Sequence, residues 1–113
     1  MAAKIGSLKV IALIDICSTH NFISDHVTRH LRLPVVPTDP FKVGVANGEK
    51  LSCQGRFEQV LVNLQGIPFL LTLYALPIAG LDLVLGFQWL EMLGLVTCNW
   101  KQLTMEFQWE NMP

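Results

Sequence analysis

The chain is short of charge, of cysteine and of long apolar runs, and each shortage excludes something. Charged residues are 15% of the 113 positions and the formal net charge is −1. That gives no electrostatic ground for nucleic-acid or anionic-membrane binding. The three cysteines, Cys17, Cys53 and Cys98, are odd in number, far apart and without a Cys-x-x-Cys pair. This argues against a disulfide framework and a structural zinc site, and for a reducing compartment. Lys4 and Lys9 precede an apolar run of only five residues that Asp15 stops, which is not a signal peptide. A membrane helix needs about 20 apolar residues, and the Leu-rich stretch from Gly66 to Val96 is interrupted by Pro68, Pro77, Asp82, Gln88 and Glu91. The Asn-x-Ser/Thr pattern, internal repeats and low-complexity segments are all absent. What is present is a 51% apolar chain, enough for one domain, 1–113, with a modest core.

Turn residues divide it into short pieces. Leu8 to Ile14 is aliphatic and β-branched, bounded by Gly6-Ser7 and Asp15, and predicts a buried strand. Ser24 suits the cap of a short helix from Asp25 to about Leu31, with Arg29, His30 and Arg32 at its negative end and Pro34 to stop it. Pro34, Pro37 and Pro40 predict an extended connection. Phe41, Val43 and Val45 alternate with Lys42 and Gly44, and Asn47-Gly48 is a strong hairpin signal. Leu51 and Cys53, then Phe57 to Leu64, predict a return strand and a further one, with a bend at Gly55. Gln65-Gly66 predicts a turn before a strand from Phe69 to Leu76. Leu81 to Leu85 reads as a short buried strand, Gln88 to Leu93 as a helix stopped by Gly94, and Leu95 to Cys98 as a strand. Leu103, Met105, Phe107 and Trp109 alternate with polar residues in the last strand. Many short strands with two short helices predict an all-β, closed or partly closed barrel.

One stretch carries chemistry. The apolar run Val10 to Ile14 ends on Asp15, and Ile16-Cys17-Ser18-Thr19-His20-Asn21-Phe22-Ile23 follows. A lone Asp after a strand is more often a turn former than a catalyst. This one, however, resembles the active-site loop of retropepsin-like aspartic proteases, where an apolar strand leads into Asp-Ser/Thr-Gly. Ser18 to Ile23 is similar to the protease of plant gypsy-type LTR retrotransposon polyproteins. Two further segments stand in family order. Val43 to Gly55, with Ala46, Asn47 and Gly48 at its tip, resembles the flap hairpin that binds substrate by strand addition. Val84-Leu85-Gly86 with the helix after it resembles the element that crosses behind the catalytic loop.

The resemblance implies an aspartic endopeptidase with Asp15 catalytic, Ser18 and Thr19 shaping the loop, Val84 and the flap lining the cleft, and no cofactor. It implies a fragment of a polyprotein, in the cytoplasm or a retroelement particle, that cuts peptide or polyprotein substrate. Two carboxylates sharing one proton are needed to activate water. No second Asp loop occurs, so the second would be Asp15 of a homodimeric partner. Two positions depart from the family: Ile16 stands where Ser or Thr is expected and Cys17 where Gly is expected. They support a second reading, a degenerate, non-catalytic dimerisation or peptide-binding module. A third reading, a small β-barrel binding module unrelated to proteolysis, leaves the three matching segments as coincidence. His26 and His30, at i and i+4, could face one metal ion, but the zincin Glu is missing between them and the expectation is no metal. A Cys17–His20 nucleophile pair lacks a third orienting group.

Overall fold

The computed structural model describes residues 1–15, 18–44, 48–78, 80–93, 96–99 and 104–107. The elements in these residues are β1 (Ala2–Ile5), β2 (Leu8–Ile14), β3 (Phe22–Ser24), α1 (Asp25–Leu31), β4 (Val36–Gly44), β5 (Lys50–Leu64), β6 (Ile67–Leu76), β7 (Leu83–Leu85), α2 (Phe87–Leu93), β8 (Val96–Asn99) and β9 (Thr104–Phe107). Strand order β1-β2-β7-β3-β6-β5 closes on itself because β1 also pairs with β5. The result is the expected all-β closed barrel, of six strands. β4 extends from β5 as an outer arm, and β8 and β9 form a separate two-stranded sheet. Neither helix is long and apolar enough to cross a membrane.

Turn chemistry sets the registers. Gly6 (φ 61°) and Ser7 join β1 to β2, with Ile5 facing Leu8. Gln65 (φ 51°) and Gly66 (φ 92°) join β5 to β6, the paired positive φ values of a type I′ turn that follows the natural strand twist. Asn63 Oδ1 accepts from the Gly66 amide at 2.8 Å and closes that turn. The α1 helix begins where expected, with the Ser24 hydroxyl accepting from His26 N–H at 3.2 Å. It ends through Arg32 in the left-handed region (φ 53°), whose amide reaches the Thr28 carbonyl. Pro34 lies beyond that cap rather than making it.

Four strand expectations need correction. Pro37 and Pro40 lie within β4, not in a connection before it. An outer strand tolerates them because the N–H that proline lacks would face away from the ladder. The residues from 50 to 64 make one continuous 15-residue strand, not two. Its irregularity falls at Gln59 (φ 51°), between Phe57 and Val60, and not at Gly55. The last β4–β5 pair among the described residues is Gly44 with Lys50, and Asn47 of the expected hairpin turn lies outside them. β1 and β3 come from segments in which no strand was expected.

The barrel interior holds Ile5, Val10, Ile23, Val62, Phe69, Leu71, Leu73, Leu83 and Leu85, with Trp89 of α2 fully buried against the Phe69 ring at 5.9 Å. Each aliphatic side chain buried this completely contributes about 1.5–3 kcal/mol. A second cluster of Phe22, Cys53, Leu76 and Val84 joins the barrel to the arm formed by β4 and the start of β5.

Candidate active site

Asp15 sits at the end of β2, where the parallel pairing with β7 (Leu13 with Val84, Ile14 with Leu85) runs out. Its amide still donates to the Leu85 carbonyl at 3.0 Å, so the Asp15 backbone is pinned to the strand that precedes Gly86. The carboxylate is held from the other side. Ser18 Oγ donates to Asp15 Oδ2 at 3.0 Å, and the Ser18 amide donates to the Asp15 carbonyl at 3.1 Å. The carboxylate is half-buried, and the Ser18 hydroxyl fixes the direction in which it faces.

The loop after Asp15 rests on Gly86. Phe87 N–H donates to the Ser18 carbonyl at 2.7 Å, and Gly86 N–H donates to Asn21 Oδ1 at 2.9 Å. A Cβ at position 86 would overlap the carbonyl oxygen of His20 and stand 2.6 Å from that of Ser18. Glycine is required here by space, since both obstructions are backbone. Gly86→Ala is expected to destabilise the domain by about 3 kcal/mol, the upper part of the range for overpacking against atoms that cannot rotate away. Gly44→Ala, whose Cβ would meet nothing within 4 Å, is expected to stay within about 0.5 kcal/mol. Urea denaturation of the two variants checks this; equal midpoints would contradict it.

In the sequence Asn21 is one position of the stretch that resembles the family loop; in the structure it ties the site together. It is 2% exposed. Besides the bond to Gly86, its Nδ2 points to the Thr72 carbonyl at 3.5 Å and its own carbonyl accepts from Tyr74 N–H at 2.9 Å. A buried amide left unpaired would cost about 1–3 kcal/mol, so this site specifies Asn. The signal that could have found it is a lone amide immediately before the apolar pair Phe22-Ile23.

His20 also belongs to the site. Its ring lies 4.8 Å from Tyr74 edge-on, 5.4 Å from Phe41 and 6.1 Å from Phe22, and its Nδ1 is 2.7 Å from Thr19 Oγ1. Phe41 belongs to β4, so these rings join the Asp15 loop to the root of the hairpin arm. His26 and His30 are exposed on α1, apart from His20, and no group of three metal-ligating side chains forms among the described residues. Cys53 is buried in the same apolar cluster, where burial pushes its thiol up and its Sγ donates to the Gly55 carbonyl at 3.5 Å.

The structure thus brings Asp15, Ser18, Leu85 and Gly86 together, while Thr19 is exposed and meets the His20 ring. Val84, at 7% exposure, packs in the cluster beneath the arm with Phe22 and Cys53. Gly48 is exposed at the arm's end (φ 87°). Ile16, Cys17, Ala46 and Asn47 lie outside the described residues.

A barrel with one strand-end aspartate seated over a strand–Gly–helix element matches a known family over nearly its whole length. The family model of retroviral aspartyl proteases matches residues 3–111. The chain belongs to that family. Among solved structures, the retroviral protease-like domain of Ddi1 from Leishmania major superposes with a TM-score of 0.72 at 21% identity, covering 98% of this chain and 86% of that one. At that identity the likeness speaks for the retropepsin-like fold. No curated protein matches the chain.

Proposed function

We propose that this retroviral aspartyl protease domain is the aspartic endopeptidase of a retrotransposon polyprotein, of the plant gypsy type, and works as a homodimer inside the cell or retroelement particle. The observation that carries the reading is the seat of Asp15, pinned by Leu85 and Ser18 over Gly86 in a chain of this family. Members of the family work as dimers on polypeptide substrates. A single carboxylate cannot be both base and acid toward one water, so two Asp15 loops meeting at a twofold axis supply the pair. One ionised carboxylate takes a proton from the water as it attacks the peptide carbonyl, and the protonated partner gives its proton to the substrate. The arm around Ala46, Asn47 and Gly48 would close over an extended peptide and bind its backbone. Ser18 to Ile23 supports the plant gypsy-type origin, and the cysteine usage supports an intracellular setting.

The test is cleavage of peptides spanning candidate polyprotein junctions, with arms containing a pepstatin-type inhibitor or a metal chelator. Cleavage blocked by the inhibitor and indifferent to the chelator supports the reading. A rate rising with the square of protein concentration below the dimer dissociation constant supports the homodimer. Activity proportional to a strictly monomeric species rules the homodimer out. A second reading is favoured by Ile16 and Cys17: a folded, non-catalytic relative that dimerises or binds peptide. Absence of cleavage from a dimeric or peptide-binding preparation would select it.

A further inference from the structure

The outer face of the barrel carries a groove of about 840 Å³ that the Asp15 site does not use. It lies across β1, β2 and the β5–β6 turn, lined by Ala2, Lys4, Lys9, Ile11, Asn63 and Asp82 among others. Lys9 is six residues from Asp15 along β2, roughly 20 Å at ordinary strand rise.

The charge pattern in this groove is unfavourable for the free protein. Lys4 and Lys9 are register partners on adjacent antiparallel strands, and Lys4 is also the register partner of Asn63 on the other side. Register partners share a face. Lys9, Lys4 and Asn63 therefore form one row across three strands, spaced by about 4.8 Å. Both lysines are exposed, and neither is paired with a carboxylate among the described residues. Like charges directly opposite destabilise a strand pair. Asp82, the one carboxylate among the described residues that line the groove, has its Oδ2 accepting from the Ile11 amide at 3.0 Å, which orients it toward the backbone. Asn63 uses its Oδ1 on the Gly66 amide, so its NH₂ is left as a donor. One step along the strands, Ile11 faces Ala2. Ile11 is 68% exposed, the most exposed of the large apolar side chains among the described residues.

A row of cationic and amide donors beside an exposed apolar row fits a ligand with the reverse pattern. We infer that this groove binds an acidic, apolar-rich segment of another polypeptide, with a carboxylate between Lys4 and Lys9 and an apolar side chain on Ile11 and Ala2. The pair of lysines is too few, and the chain too close to neutral, for the basic stripe that tracks a nucleic-acid backbone. The groove is a docking site away from the Asp15 cleft, and its occupancy does not depend on whether Asp15 turns substrate over.

The experiment titrates the full chain, followed by amide NMR, with a blocked ten-residue peptide alternating Glu and Leu. Its Gln–Leu counterpart and inorganic phosphate are separate arms. The Glu peptide is expected to shift the amides of Lys4, Lys9, Ile11 and Asn63. The Gln peptide is expected to bind at least tenfold more weakly, as is phosphate. Lys4→Gln with Lys9→Gln is expected to weaken the Glu peptide at least tenfold without lowering Tm, because it removes a like-charge pair. The single Lys9→Gln should lie between. Arg29→Gln with Lys42→Gln, the same charge change elsewhere, should stay within twofold. The inference is overturned by shifts confined to the cleft, by equal binding of the Gln peptide or of phosphate, by full affinity in the double lysine variant, or by no shifts at millimolar peptide.

Discussion

Asp15→Asn is expected to abolish peptide cleavage, by about 10⁴-fold or more, while leaving the barrel folded. Asn has nearly the shape of Asp, and its side-chain oxygen can still accept from Ser18 Oγ, which holds Asp15 Oδ2 at 3.0 Å. The backbone bonds to Leu85 and Ser18 do not involve the side chain at all. What disappears is the group that takes and returns protons. General acid and general base roles each contribute about 10²–10⁴-fold, and in the proposed homodimer one substitution removes both. Initial rates, with circular dichroism as the folding control, check this. Cleavage retained in Asp15→Asn would remove Asp15 from the mechanism.

Much of this architecture was legible because local signals agreed with one another. Ser24 before Asp25, the turn at Gln65-Gly66 and the apolar run into Asp15 each have a single cheap structural solution, and the structure adopts it. The failures have a common physical cause. β3 is three residues long and β1 four, too short for alternation to show, and each exists because neighbours on both sides pair with it. β5 looked like two strands because its buried positions change parity, from Cys53, Gly55 and Phe57 to Val60, Val62 and Leu64. A left-handed Gln59 absorbs the odd residue and lets one strand serve first β4 and then β6 and β1. Prolines suggested a connection where an outer strand has no ladder on that edge to lose.

The site was legible as a list of segments and not as a set of contacts. The Asp15 loop and Gly86 are some seventy residues apart, and nothing local says that the Gly86 amide needs an acceptor. Only the fold shows that Asn21 is that acceptor, and that the carbonyls of Ser18 and His20 leave no room for a Cβ. The same holds for His20, whose place in the sequence near Cys17 says nothing of the ring packing against Phe41 and Tyr74 that the fold provides.

Restoring the family pattern, Ile16→Ser together with Cys17→Gly, is expected to raise cleavage by about 100-fold and to tighten the dimer. Ile16 and Cys17 lie outside the described residues. Their neighbours Asp15 and Ser18 are tied to each other through side chain and backbone, so any change between them bears directly on the carboxylate. In the family, the hydroxyl at position 16 hydrogen-bonds across the dimer axis and braces both loops, and Ile has no hydroxyl to offer. A buried partner left unpaired costs about 1–3 kcal/mol, and twofold symmetry repeats the loss. Gly at position 17 lets the backbone turn tightly beside the carboxylate. A Cβ there costs on the order of 1–3 kcal/mol where the conformation is one only glycine adopts readily. Displacements of about 1 Å at reacting groups cost roughly 100-fold in rate, which sets the size of the expected gain. Because both changes act on one loop, they should couple, and each single reversion should recover less than its share. Cleavage rates and dimer dissociation constants for the present chain, the two singles and the double decide the matter. If the present chain already equals the double in both, Ile16 and Cys17 are not lesions, and the retroviral aspartyl protease loop accepts a wider chemistry than a hydroxyl followed by glycine.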